Sequence, residues 1–203
     1  MPSRRSTVFC AVAAADALLA AAGRDRERWL TKPLLMPALM PGRSQAAKRA
    51  LALSWAGDVA LLGSGDAAFQ AGLVSFLASH LAWISALRQQ PGAGRLRANP
   101  VLAVPPLAAA VAVNACLWPR TGGLRIPVVV YSGALLAMAL TALDQGSPAA
   151  TAGGVLFLVS DSLLALRKFS VAELPAGDGL VMATYAAAQA LLAASTGRST
   201  KIG

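Results

Sequence analysis

The sequence predicts an all-α membrane protein, a polytopic bundle of about eight transmembrane helices forming one domain over residues 1–203. Its pattern is compatible with a parallel four-plus-four repeat. Three observations lead there. Hydrophobic residues make up 56% of the 203, charged residues only 13%, and the mean hydropathy is +0.58. A water-soluble domain carries about twice that share of charge. The apolar residues also fall into runs of helix length, bounded by charge, Pro or Gly. Finally, the basic residues behind the net charge of +9 stand in short tufts between those runs, such as Arg24 to Arg28, Arg88 to Arg97 and Arg198 to Lys201. That is where helix ends meet lipid headgroups. No tuft is interleaved with aromatic residues on a base-reading face, so nucleic acid is excluded as a partner.

In chain order the runs cover about 7–23, 29–40, 46–63, 67–87, 99–118, 124–143, 148–166 and 178–196. The first follows Arg4 and Arg5 and imitates a signal peptide, but Asp16 interrupts it and every later run is also apolar; it reads as a retained span. Asp16 itself reads as structural. The second is short for a span, with Pro33, Pro37 and Pro41 in or beside it. It is expected to be kinked, tilted or re-entrant and to wall a cavity, because broken backbone at membrane depth needs protein or a cavity around it. The third holds Asp58 deep among apolar residues, away from the helix end. On the fourth, Phe69, Gly72, Phe76, His80 and Trp83 recur at intervals of three and four and share one face. The fifth and sixth contribute Asn114 and Tyr131, the seventh Asp161 with Gly154 and Phe157 on the same face, and the eighth Tyr185 and Gln189. Cys10 and Cys116 lie inside apolar runs and read as small buried hydrophobes. With the N-terminus inside, ten Lys and Arg fall inside and eight outside, which favours a cytoplasmic N-terminus for a multi-pass protein of the cell membrane. Nothing in the pattern speaks to oligomeric state.

The informative residues are those that are costly in a bilayer. A mid-helix carboxylate costs about 2.5–3.5 kcal/mol on insertion scales, so Asp58 and Asp161 must face a polar partner or a wet cavity. Gly57-Asp58-x-x-Leu61 echoes Ser160-Asp161-x-x-Leu164 four runs later, which is the basis for the repeat. Ser54 lies one turn before Asp58 and can bond to it or to a neighbour. Lys32 can snorkel to headgroups or extend to a phosphate or an acid. Gly72, Gly153 and Gly154 permit close helix approach. No serine-hydrolase elbow, zinc-protease motif, phosphate loop or Cys/His cluster is present, and neither metal nor cofactor is called for.

Thr31-Lys32-Pro33-Leu34, Gly57-Asp58-x-x-Leu61-Leu62, Phe69-x-x-Gly72-x-x-x-Phe76-x-x-x-His80, Tyr131 and Gly154-Val155-Leu156-Phe157-x-x-Ser160-Asp161-Ser162 occur in that order. The set resembles the YhhN family, whose animal members are lysoplasmalogenases, over about 32–169. Where the family often carries a tyrosine a few residues after the histidine, this chain has Trp83, which keeps a stacking surface but no hydroxyl. The resemblance implies hydrolysis of the vinyl-ether bond of lysoplasmalogens to a fatty aldehyde and a glycerophospho-base, with lysolipid and membrane lipids as partners. It implies catalysis by Asp58 and Asp161, with His80 relaying a proton or positioning water. Lys32, Ser54, Phe76, Trp83, Tyr131, Phe157 and Ser160 would contact substrate. Of these, Lys32 suits the phosphate and the aromatic stripe suits the lipid chain. Vinyl-ether cleavage begins with protonation of the alkene carbon, which asks for one carboxyl that holds a proton and a second that is ionised. The same intramembrane acids would also serve a proton-coupled carrier of small solutes or lipids, or act only as links between helices.

Overall fold

The computed structural model describes residues 4–92, 94–172 and 176–197; the basic tuft from Arg198 to Lys201 lies outside them. Among the described residues there are helices and no strands. They are α1 (Arg4–Ala21), α2 (Asp25–Leu39), α3 (Gln45–Ala60), α4 (Asp66–Arg88), the single turn α5 (Arg95–Ala98), α6 (Val104–Leu117), α7 (Arg125–Asp144), α8 (Pro148–Lys168) and α9 (Gly177–Ser195), with two short 3₁₀ turns before α6 and α7. The eight long helices correspond to the eight apolar runs. Four segments, Asp66–Arg88, Pro100–Leu117, Gly122–Asp144 and Pro148–Lys168, are long and apolar enough to cross a membrane.

Packing follows the chain around a ring. Helices α1 to α4 pack each on the next, α4 meets α7, α7 to α9 continue, and α9 returns to α1. Helix α6 stands outside this ring against α7 and α8. Small residues set the close approaches. A Cβ on Gly153 would lie 3.0 Å from the backbone nitrogen of Leu192 on α9, and one on the adjacent Gly154 would lie 2.9 Å from Ala142 Cβ on α7. Two neighbouring glycines thus let α8 sit tightly between both partners. Gly153→Val is therefore expected to destabilise the bundle by about 2 kcal/mol through overpacking, read as a lowered thermal midpoint in detergent.

Helix α2 begins at Asp25, four residues before the apolar run, because Asp25 and Glu27 in its first turn favour a helix start. It continues through Pro33 and Pro37 to Leu39 as one helix rather than a broken or re-entrant segment. Pro37 has no N–H to offer the carbonyl of Pro33, and the Trp55 indole of α3 donates to that carbonyl instead, at 2.9 Å. Helix α3 stops at Ala60, and Gly63-Ser64-Gly65 turns the chain, with Gly65 at φ +89°. Asp58 accordingly sits in the last turn of α3 and not deep within the helix as the apolar run suggests. The expectation for the cysteines is also corrected. Cys10 and Cys116 are free thiols on exposed positions of the outer surface, where an apolar side chain faces lipid as readily as core.

Candidate active site

The two acids arrive in the same way. Ser44 caps α3, its hydroxyl accepting from the Ala47 N–H at 3.3 Å, and Ser147 caps α8, accepting from the Ala150 N–H at 3.4 Å. Fourteen residues separate each cap from its acid, 44 to 58 and 147 to 161. Each carboxyl is thus about 21 Å along its helix.

Each acid is then held from the helix before its own and from a fourth element across the ring. Asp58, 1% exposed, lies 3.5 Å from Lys32 Nζ of α2 and accepts a hydrogen bond of 2.7 Å from the Tyr185 hydroxyl of α9. Asp161 accepts a short hydrogen bond from the Tyr131 hydroxyl of α7, and its Oδ2 lies 3.4 Å from His80 Nε2 of α4. His80 Nε2 is also 3.1 Å from the Tyr131 hydroxyl. Rings join the two sites edge to face: Phe157 stands 4.8 Å from His80 and 5.5 Å from Tyr185, and Phe76 stands 5.8 Å from Tyr185. The one fixed cation within ion-pair distance of either acid, among the described residues, is Lys32 on Asp58.

Both carboxyls line one cavity of about 390 Å³, together with Lys32, Phe76, Ser160 and Tyr185. A narrower apolar cleft of about 60 Å³ adjoins it, walled by Leu73, Leu117, Tyr131 and Leu135 among others. Leu61, Phe69, Phe76, Asp161 and Leu164 belong to both walls. Asp161 therefore stands where a charged chamber meets an apolar slot.

The structure brings together Asp58, Asp161, Lys32, Phe76 and Ser160 on the larger cavity, with Tyr131 on the cleft beside Asp161. Four other expected positions stand behind these walls. His80 is fully buried and reaches the cavity only through Asp161 and Tyr131. Its Nδ1 has no hydrogen-bond partner among the described residues. Ser54 bonds away from Asp58: its hydroxyl is 2.7 Å from that of Ser79 and accepts from Gln189 Nε2 at 2.7 Å. Trp83, fully buried, donates its indole N–H to Gln189 Oε1 at 3.2 Å and lines neither cavity. Phe157 is likewise fully buried between His80 and Tyr185 and faces neither. A helical stripe identifies one buried face, but which part of that face meets a cavity depends on the partner helices. Ser160, though it borders the cavity, spends its hydroxyl on the Val181 carbonyl at 2.9 Å. Lys32 is committed to Asp58.

Among the residues of the larger cavity outside the quoted motifs are Tyr185, singled out only as a polar residue of the eighth run, and Asp25, Arg28 and Lys168. Tyr185 carries a usable signal, since Asp178, Val181, Met182 and Tyr185 recur at helical spacing on α9 and all face the cavity. Arg28 and Lys168 belong to basic tufts and read as headgroup contacts. Asp16, as expected, serves structure: fully buried, it accepts 2.7 Å from the Thr31 hydroxyl and pairs with Arg28 at 3.5 Å.

Comparison with known proteins places the chain. The model of the YhhN family matches residues 27–196. A lysoplasmalogenase of Mycobacterium bovis is 33% identical over 193 residues, covering 89% of this chain and 64% of that protein; one of Mycobacterium tuberculosis matches to the same extent. A human lysoplasmalogenase is 34% identical over 158 residues, 78% of this chain and 66% of its own length. The chain thus spans somewhat less than two thirds of the mycobacterial relatives. No solved structure matches.

Proposed function

This chain belongs to the YhhN family, and on that premise we propose that it is a membrane-embedded hydrolase that cleaves the vinyl-ether bond of lysoplasmalogen-type lysolipids. The observation that carries the reading is Asp58 and Asp161 lining one cavity, with Asp161 at its junction with an apolar cleft. A lysolipid has the same division. The first carbons of its alkenyl chain suit the cleft, its headgroup the charged chamber, and the bond to be broken lies between them.

In the mechanism we propose, Asp161 is the acid. It transfers its proton to the second carbon of the alkenyl chain, and the alkene electrons form that C–H bond. The first carbon and the ether oxygen then share the charge of an oxocarbenium ion. Asp58, ionised beside Lys32, helps stabilise that cation and accepts a proton from the water that attacks the first carbon. The hemiacetal then breaks its bond to the glycerol oxygen, which takes the proton now on Asp58 while the hemiacetal hydroxyl gives its proton to Asp161, leaving fatty aldehyde and glycerophospho-base and both acids as they began. Tyr131 and Tyr185 orient the two carboxyls. His80 acts through Asp161 as a positioning residue, since it does not reach the cavity. Charge supports this choice of acid and base: Lys32 pairs with Asp58, whereas Asp161 has a phenol and an imidazole as partners.

The proposal extends to the membrane. All eight long helices are spans of a cell membrane with the N-terminus cytoplasmic, and the halves α1–α4 and α6–α9 are related as parallel repeats. Supporting the repeat, α3 and α8 share the serine cap and the cap-to-acid spacing. Each acid also takes one partner from the helix before it and one from the last helix of the other half.

The test is aldehyde release by purified protein in detergent, paired with proton-coupled uptake in liposomes. Release from alkenyl lysolipid, and none from its ester-linked counterpart, is expected. Uptake without release would assign the acids to a carrier and defeat the hydrolase reading.

A further inference from the structure

Building on the hydrolase reading above, we propose that the mouth of the larger cavity is a headgroup site for a phosphate that carries a cationic amine. Lys168 and Arg28 take the phosphate, and Asp25 takes the amine. The charges along the cavity are layered. On α2, Lys32, Arg28 and Asp25 follow one another at helical spacing toward the helix start, and all three line the cavity. On α8, Asp161, Leu164 and Lys168 do the same toward the helix end. From depth to mouth the order within the chamber is carboxyls, cations, then carboxylate, and the apolar cleft runs beside it along α8 from Leu158 to Phe169. A phospho-base lysolipid presents chain, ether bond, phosphate and ammonium in that order.

The distances fit. Asp161 and Lys168 are two turns apart, about 10.5 Å along the helix. In the ligand, a three-carbon glycerol separates the ether oxygen from the phosphate, and a hydrogen bond of about 3 Å at each end covers the rest. Lys32 is not the phosphate ligand, because it is buried at the level of Asp58, one turn deeper than Arg28. Lys168, by contrast, has no ion pair among the described residues; its Nζ stands 4.8 Å over the Phe69 ring, at the junction of the two cavities. A ring face holds an ammonium without neutralising it. Arg28 lines the chamber and is fixed in place by buried Asp16, to which two of its guanidinium nitrogens reach at 3.5 Å; of its five N–H groups, those that neither Asp16 nor Asp25 takes are left for a phosphate. At the mouth, Asp178 is taken by Arg167 at 2.7 Å, whereas the Asp25 side chain is 81% exposed and only loosely paired with Arg28 at 3.4 Å.

Binding of saturated ether lipids to the purified full chain tests this without any cleavable bond. The wild type is expected to bind 1-O-alkyl-glycerophosphoethanolamine at least about tenfold more tightly than the matching 1-O-alkylglycerol, a factor of the size one charge-assisted hydrogen bond supplies. Lys168→Met should shrink that ratio by about tenfold, and Lys168→Arg should keep it. Asp25→Asn should weaken the phosphoethanolamine lipid relative to the 1-O-alkyl-glycerophosphate that lacks the amine. Glycerophosphoethanolamine should compete where inorganic phosphate at equal concentration does not. Equal binding of the first two lipids by the wild type would overturn the proposal. So would Lys168→Met weakening both alike, or inorganic phosphate competing as well as the headgroup. Lysine-dependent binding by a protein that releases no aldehyde would strike the hydrolase reading alone.

Discussion

Replacing Asp161 by asparagine is expected to cut aldehyde release by about a thousandfold, the scale of losing a general acid, while the bundle remains folded. The substitution keeps the shape of the side chain. Its amide oxygen can still accept from the Tyr131 hydroxyl, which lies on the same carboxylate oxygen as His80. What disappears is the transferable proton at the junction of the chamber and the apolar cleft. The measurement is the initial rate on alkenyl lysolipid, set beside the thermal midpoint and the elution profile in detergent. A variant that retains a tenth or more of the rate would remove Asp161 from the chemistry. If Asp161 were only a link between helices, the thermal midpoint would fall and the loss of rate would track it.

The largest effect on stability is expected from Lys32→Met. It leaves the Asp58 carboxylate with no cation, at a site where Lys32 and Asp58 side chains are 7% and 2% exposed. Removing one partner of a buried pair costs about 3–5 kcal/mol, because the remaining charge stays desolvated. The adjoining cavity of about 390 Å³ has room for water, so the lower end, about 3 kcal/mol, applies. The double variant Lys32→Met with Asp58→Asn removes both charges and should recover most of that loss while remaining inactive. The amide oxygen that replaces the carboxylate would still accept from Tyr185. Unfolding free energies of wild type, both single variants and the double variant close the cycle. Additive losses would mean that the ion pair is incidental to the fold.

The sequence made legible what period and solvation cost determine. Eight apolar runs became eight long helices, and the two acids it marked as expensive came to one chamber. The stripe of Phe69, Gly72, Phe76, His80 and Trp83 did become an inward face of α4. What it could not convey was depth around the ring. Trp83 and Phe157 face partner helices rather than a cavity because Gln189, His80 and Tyr185 occupy the space beside them. Such pairings join residues far apart in the chain, Tyr185 to Asp58 and Gln189 to Ser54 among them. No local pattern encodes them. The end of α3 is obscured for a different reason. Leu61 and Leu62 prolong the apolar run, but the turn at Gly63-Ser64-Gly65 ends the helix first. Arg28 and Lys168 were hidden by their company, since a basic residue in a tuft looks the same whether it meets bulk lipid or the mouth of a site.

The proposed cleavage requires a proton from a carboxyl in the chamber to reach the alkenyl carbon, so that water captures the first carbon of the chain and the glycerol oxygen leaves intact. Turnover in ¹⁸O-water tests that most directly. The glycerophospho-base is predicted to leave without ¹⁸O, the label going to the aldehyde side. Label on the glycerol oxygen would mean that the bond on the other side of the ether oxygen had broken, and would contradict the proposed chemistry.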